Sequence, residues 1–318
     1  MEQNLVFMGS GEFGAGCLKG LVENGHEPVA VITQKSKPCG RGRKVKSTHV
    51  KSMAEKMGLN VLEVRSVNKG DGWNKLSEFK PDVIVVADFG QILSQRVLDL
   101  PSLGCFNVHP SLLPRYRGAA PIQRTLENGE TETGVSIFKI VKELDAGPIA
   151  LQKKIRVDYD DNFASLFKKL LDLAVDLLCE FMEKLKEGRV KLIPQDEKLA
   201  TYAPKVEPHD LLIRWSEPAE KVRNKIRAYD PKPGAYSYLD GERVKLFEVR
   251  EVEKVAGEAG NIVKIEKKGM LVTTGEGGVW ISKIQFPGKR VVHVWDAYIG
   301  RRLKEGGKFD VHCHQNGR

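Results

Sequence analysis

The sequence predicts an α/β chain: a doubly wound domain followed by a small OB-like β-barrel domain. Three observations lead there. Apolar runs alternate with segments of helical period from Leu5 to about Gly188, the β-α-β rhythm of a parallel sheet. Val83-Ile84-Val85-Val86-Ala87 is apolar without a break, as a strand buried on both faces must be. Beyond a polar stretch carrying Pro194 and Pro204, the rhythm changes to short strands parted by turn signals. A length of 318 residues also lies where single cores tend to split in two. The expected boundaries are a first domain over 1–188, a linker over 189–205, a second domain over 206–309 and a disordered tail over 310–318.

Each element has its own signal. Residues 5–8 form a short buried strand, and Gly9-Ser10-Gly11-Glu12-Phe13-Gly14 turns the chain into a helix. That helix shows Leu18, Leu21 and Val22 on one face and ends at Gly25. Residues 29–32 are the second strand, followed by a basic loop over 35–46. Val50, Met53, Ala54 and Met57 mark the next helix, closed by Gly58, before strands at 61–64 and 83–87. A further apolar run enters at Cys105. Strands at 134–140 and 149–152 flank a loop over 143–148. A long helix from about 163 to 187 carries an apolar face of Leu166, Leu170, Leu173, Ala174, Leu177, Leu178, Phe181 and Leu185.

In the second domain, Ser216 is expected to cap a helix bearing Val222 and Ile226, with Pro218 in its first turn. Asp240-Gly241 between apolar runs at 236–239 and 244–247 is a hairpin signature. Strands at 262–265, 270–273 and 279–282 continue the series. A last helix carries Trp295, Tyr298, Ile299 and Leu303.

Composition narrows the function classes. The chain is 41% hydrophobic and 29% charged, as in ordinary globular proteins. No apolar run approaches the roughly 18 residues that cross a bilayer, so no membrane partner is expected. The N-terminus lacks a basic segment before an apolar one, so no secretory signal is expected. Five widely spaced cysteines, Cys17, Cys39, Cys105, Cys179 and Cys313, form no Cys-x-x-Cys pair. That fits a reduced, cytoplasmic setting. The net charge of +9 fits either a solvated surface or a polyanionic partner.

The chemistry centres on one stretch. Asn107 and His109 stand two residues apart, so on a strand they share a face. An amide can donate to a developing oxyanion, and an imidazole exchanges protons near neutral pH. Such a histidine is usually paired with a carboxylate. Asp145, in the loop at 143–148, is the first candidate and Asp88 the second. No Ser or Cys sits in a nucleophile-elbow setting, so the implied reaction is direct transfer of an acyl or formyl group. Pro110 and Pro114 bracket the following loop, and Gly118 leaves room for a ligand near the backbone.

Three other features stand beside this pair. Gly9-Ser10-Gly11-Glu12-Phe13-Gly14 matches G-x-G-x-x-G, but the second strand ends Ile32-Thr33-Gln34-Lys35, without the acidic residue that would hold a ribose. A dehydrogenase is therefore excluded. The basic loop at 35–46 should lie at the carboxyl edge of the sheet, where a phosphate-rich substrate would meet it. His312, Cys313 and His314 are too close together to converge on one metal ion from a single element, so no metal is expected.

Taken together, these motifs resemble the methionyl-tRNA formyltransferase family. The resemblance rests on the run from Asn107 to Arg124, on Glu132-Thr133-Gly134-Val135, and on Leu144-Asp145-Ala146-Gly147-Pro148-Ile149. Pro38-Cys39-Gly40-Arg41-Gly42-Arg43-Lys44, Tyr202-Ala203-Pro204-Lys205 and Pro231-Lys232-Pro233-Gly234-Ala235 extend it, so that it covers about residues 4 to 305. It implies a Rossmann-like formyltransferase domain and an OB-like tRNA-binding domain. The implied enzyme moves the formyl group of 10-formyltetrahydrofolate to the α-amino group of methionyl initiator tRNA, for translation initiation. It also implies Asn107, His109 and Asp145 as the catalytic trio. Ser111, Leu112, Leu113 and Pro114 would line the folate site, and Arg41, Arg43 and Lys44 would meet the tRNA. The enzyme is expected to be a cytoplasmic monomer.

Some positions depart from the family pattern. Arg214 precedes Trp215 where an acidic residue is usual, Pro110 replaces a small residue, and Cys39 replaces an alanine. The alternative is a formyltransferase or hydrolase acting on a small amine or on formyl-folate itself. The basic loop and the whole second domain argue against it, because a small substrate needs neither. A silent RNA-binding protein would not need Asn107, His109 and Asp145 together.

Overall fold

The computed structural model describes residues 3–39 and 44–312. The chain divides into two compact units. The first gathers most residues up to Gly118, together with Thr133–Ile155 and Phe167–Tyr202. The second gathers Ala119–Glu132, Arg156–Leu166 and the chain from Ala203 onward.

In chain order, the elements begin with β1 (Leu5–Gly9), α1 (Glu12–Glu23) and β2 (Ala30–Gln34). Next come β3 (Lys37–Cys39), β4 (Lys44–Lys46), α2 (His49–Lys56), β5 (Val61–Val64) and α3 (Gly70–Glu78). Then follow β6 (Val83–Ala87), α4 (Gln95–Leu98), β7 (Gly104–His109), α5 (Pro121–Glu127), β8 (Glu132–Lys139), β9 (Ile149–Arg156) and α6 (Phe163–Lys186). The strands of the first unit align as β5-β2-β1-β6-β7-β8-β9. The first five run parallel, and β8 returns antiparallel to β7. Their carboxyl ends therefore share one edge, where open α/β sheets carry their sites.

The apolar signals in the sequence become this unit's core. Val6, Met8, Ile32, Ile84, Val86 and Cys105 pack in one cluster with Val67, Leu76 and Val97. Burial pushes the Cys105 thiol up to about 12, so it is a small core group rather than a nucleophile. Helix α6 presses on α1 at two small positions. A Cβ on Gly20 would lie 2.4 Å from both γ-carbons of Val175, and one on Gly16 would lie 2.5 Å from a Leu171 methyl. Only glycine lets these helices approach so closely. Thr48 starts α2 by accepting from the Lys51 N–H at 3.0 Å.

Several expectations need correction. The basic loop holds a short antiparallel pair, β3 with β4. Helices α3 and α5 were not anticipated. The nine residues of α3 begin with Gly70-Asp71-Gly72, which reads as a turn, and α5 follows a Pro-rich loop. The expected linker is bonded into the first unit as far as Tyr202. Ile193 exchanges both backbone bonds with Ile149, at 2.8 and 2.9 Å, and Tyr202 bridges to Arg117.

The second unit contains α5, α7 (Ala219–Ala228), β10 (Ala235–Leu239), β11 (Glu242–Glu253), β12 (Ile262–Glu266) and β13 (Gly269–Thr273). It also contains β14 (Gly278–Gln285), β15 (Val292–His293), α8 (Val294–Ile299) and β16 (Phe309–Asp310). Helix α7 opens at Ala219, with Pro218 as its N-cap and no side-chain cap. Ser216 does not cap it, because it lies in a turn in which the Glu217 N–H donates to the Arg214 carbonyl. Pro218 is then held extended by a bridge to Glu276.

The strands follow the order β12-β13-β14-β11-β10-β16, with β15 on β14. The two ends of that order meet. Ile262 N–H donates to the Gly307 carbonyl and Phe309 N–H to that of Gly260, each at 2.8 Å. The sheet thus curls into the small barrel that the short strands implied. Trp215 stacks on Phe309 at 5.2 Å and donates to Ser237 Oγ at 2.9 Å. Asp310, placed in the expected tail, pairs with Tyr238 in β16. Residues 313–318 of that tail lie outside the described residues.

Candidate active site

Strand β7 carries Asn107 and His109 to the carboxyl edge of the sheet. Asn107 lies between Val86 of β6 and Phe138 of β8, and His109 lies opposite Ser136. Asn107 is half-buried, while His109 is only 4% exposed. The imidazole is therefore fixed rather than free to rotate in solvent. Its Nε2 lies 2.9 Å from the Tyr116 carbonyl. A carbonyl only accepts, so Nε2 carries the hydrogen. Its Nδ1 faces Asp145 Oδ2 at 3.8 Å. The Phe138 ring stands edge-on at 6.4 Å and closes the third side.

Asp145 is itself held. Its backbone takes a left-handed φ of 48°, uncommon outside glycine and costly unless the surroundings fix it. The Gly118 N–H donates to Asp145 Oδ2 at 2.8 Å. Gly118 has φ of 118°, so its glycine character serves this amide's direction, where the sequence had implied room for a ligand. Gln195 Nε2 donates to the carbonyls of Asp145 and Gly147 at 2.8 and 2.7 Å. Gln195 Oε1 in turn accepts from the Arg117 guanidinium at 2.8 and 3.1 Å. Arg117 is 2% exposed and also forks onto Glu197 at 2.7 and 2.9 Å, the bidentate geometry that suits a guanidinium. A chain from Glu197 through Arg117 and Gln195 thus holds the Asp145 loop. Sequence reading missed Gln195 and Glu197, because nothing in a polar stretch some 50 residues downstream announces contact with that loop.

The remaining expected residues divide. Ser111 is fully buried and its hydroxyl donates to the Arg115 carbonyl at 2.7 Å. Leu113 is also buried. Its N–H donates to Ser136 Oγ and its carbonyl accepts from Gln152. Leu112 and Pro114 are half-buried. Arg41 and Arg43 lie outside the described residues, and Lys44 opens β4. Asp88, the second candidate carboxylate, lies elsewhere, at the end of β6. Its carbonyl accepts the Ser10 and Gly11 N–H groups at 2.9 and 3.1 Å. Those are amides a dinucleotide phosphate would need, so the glycine-rich turn is already satisfied from within. Desolvation raises the Asp88 carboxyl to about 6, against the opposing pull of His49. Among the described residues, no His, Cys, Asp and Glu group is arranged to hold a metal.

A doubly wound sheet that brings an amide, an imidazole and a carboxylate to its carboxyl edge is the framework of a direct formyl- or acyl-transferring enzyme. Comparison with known proteins makes the class specific. Residues 3–182 match the formyl transferase family, and residues 205–302 match the formyl transferase C-terminal domain. The methionyl-tRNA formyltransferase of Thermotoga maritima is 50% identical over 306 residues, 96% of this chain and 98% of the relative. That of Kosmotoga olearia is 51% identical over 307 residues, 96% of this chain and 99% of the relative. The chain belongs to the methionyl-tRNA formyltransferase family. Among solved structures, HypX from Aquifex aeolicus in complex with tetrahydrofolic acid superposes with a TM-score of 0.63 at 20% identity. The match covers 94% of this chain and 47% of HypX, so this chain spans about half of that protein, and the likeness is one of fold.

Proposed function

We propose that the protein transfers the formyl group of 10-formyltetrahydrofolate to the α-amino group of methionyl initiator tRNA. The observation that carries this reading is the imidazole of His109, clamped between the Tyr116 carbonyl and Asp145 and two residues from Asn107. Identity to the curated methionyl-tRNA formyltransferases along nearly the whole chain supports the choice of acceptor and donor.

In the reaction, the methionyl nitrogen attacks the formyl carbon, and the Asn107 amide donates to the oxyanion that forms. His109 takes the proton lost by the amine, through the nitrogen facing Asp145, and that carboxylate stabilises the imidazolium. The carbon–N10 bond then breaks, and the proton passes to N10. Leu112 and Pro114 supply the apolar wall for the folate, with Ser111 and Leu113 fixing the loop behind them. Arg41, Arg43 and Lys44 contact the tRNA. The catalytic domain is read over 1–188 and the tRNA-binding domain over 206–309, a division that the two family matches support. The enzyme acts as a monomer in the cytoplasm. No described helix is long and apolar enough to cross a membrane.

The test is a transfer assay with 10-formyltetrahydrofolate and two acceptors. Methionyl-tRNA is expected to be formylated at least about a hundredfold more efficiently than methionine amide, because remote contacts raise kcat/KM. Equal efficiency on the two acceptors would favour the small-amine alternative and overturn the assignment.

A further inference from the structure

A second cationic feature stands at the outer end of the same sheet edge. Behind the carboxyl ends of β2 and β5, and against the first turns of α3, lies a cavity of about 480 Å³. Lys35, Arg65, Lys69 and Lys75 line it, together with Glu63 and Asp71. All four cations are exposed, and none makes an ion pair among the described residues. Glu63 contributes little opposing charge. It accepts from Ser36 N–H and Oγ at 3.0 and 2.5 Å and pairs with Lys51 at 2.9 Å. Only Asp71 offsets the four cations. By contrast, Lys19, Lys153, Lys184 and Lys186 of the same unit have carboxylate partners. Four cations set against one carboxylate around one concavity repel one another, and an anion relieves that repulsion.

The position of the cleft selects the anion. Strands β5, β2, β1, β6 and β7 are parallel neighbours. Four strand spacings of about 4.8 Å separate β5 from β7, so the cleft lies about 19 Å along the edge from Asn107 and His109. The cleft also adjoins the basic 35–46 loop, since Lys35 belongs to both and its N–H donates to the Val64 carbonyl at 3.0 Å. A polyanion whose reacting end lies at His109 reaches the cleft by running along this edge. We propose that the cleft formed by Lys35, Arg65, Lys69 and Lys75 binds backbone phosphates of the tRNA, as a contact additional to the loop. The inference rests on the reading of the acceptor as tRNA. It concerns affinity and leaves the transfer step alone, because phosphate contacts position a nucleic acid without reading its bases.

The experiment titrates methionyl-tRNA onto the full chain and onto an Arg65→Ala, Lys69→Ala, Lys75→Ala variant, by fluorescence anisotropy across a series of KCl concentrations. Binding is measured without turnover, so a failure to formylate would count against the functional reading and leave this test intact. The variant is expected to bind about 10- to 100-fold more weakly at low salt, with the slope of log K against log [KCl] smaller by about 2 to 3. Its KM for 10-formyltetrahydrofolate and its kcat at saturating tRNA should stay at wild-type values. A variant with unchanged affinity and slope overturns the proposal. So does an equal loss in a Lys19→Ala, Lys56→Ala, Lys168→Ala control, which removes the same charge from elsewhere on the unit. Since the three cleft residues are exposed, their replacement should leave the thermal midpoint unchanged. If it does not, the paired Lys69→Gln, Lys75→Gln variant decides by the same two readouts.

Discussion

At His109 the two ring nitrogens face different partners, and the difference sets the proton path. Nε2 is committed to the Tyr116 carbonyl, which leaves Nδ1, opposite Asp145, to gain and lose a proton. The 3.8 Å gap means that Asp145 acts through charge at a distance more than through a tight hydrogen bond. Its placement then depends on what anchors its loop. Replacing Gln195 by alanine removes both side-chain bonds to that loop and leaves the buried Arg117 with Glu197 and Tyr202. We expect kcat to fall about tenfold with the folate KM nearly unchanged, since a small misplacement of a charged group costs rate before binding. An unaltered kcat would show that the loop holds itself. Asn107 and His109 were legible in the sequence, because strand period alone puts them on one face. Gln195 and Ser136 were not. Each is a polar residue without periodic context whose partner is decided by tertiary folding.

Strands and helices read from the sequence in proportion to their burial. Strands β1 and β6, buried along their whole length, appeared as unbroken apolar runs. Helix α6, with its long apolar face, was found nearly to its ends. The misses are short or half-exposed elements: β3, β4, α3, α4, α5, β15 and β16. The last two are two residues long and exist only because other strands pair with them. Glu63 joins three elements in this way, binding the chain after β2 and Lys51 of α2 from its place on β5. Hydrogen bonds from Ser36 and Lys51 hold its carboxyl down at about 2. A carboxylate with a depressed pKa stabilises the fold above its unfolded value of 4.5, and that contribution is lost as pH falls toward about 2. Chemical denaturation of Glu63→Gln should therefore show a loss of about 1 kcal/mol at neutral pH, allowing for solvent screening, that shrinks between those two values. A difference that stays constant across that interval would assign the effect to packing.

The molecule as a whole combines a site built within one unit and a second unit whose sheet closes on itself. The change of rhythm in the sequence foretold the second unit. Its discontinuous membership did not show, because α5 and residues 156–166 are local in sequence to the first. The +9 charge left solubility and a polyanion equally open, and the unpaired cations along the sheet edge favour the polyanion. The central claim remains that one imidazole carries the transferred proton. The most direct measurement is single-turnover formylation of methionyl-tRNA by wild type and His109→Ala, with tRNA affinity determined in parallel. The account predicts a rate lower by about 10²- to 10⁴-fold, the range for loss of a general base, with affinity within about twofold of wild type. A His109→Ala enzyme that transfers formyl at the wild-type rate would contradict it.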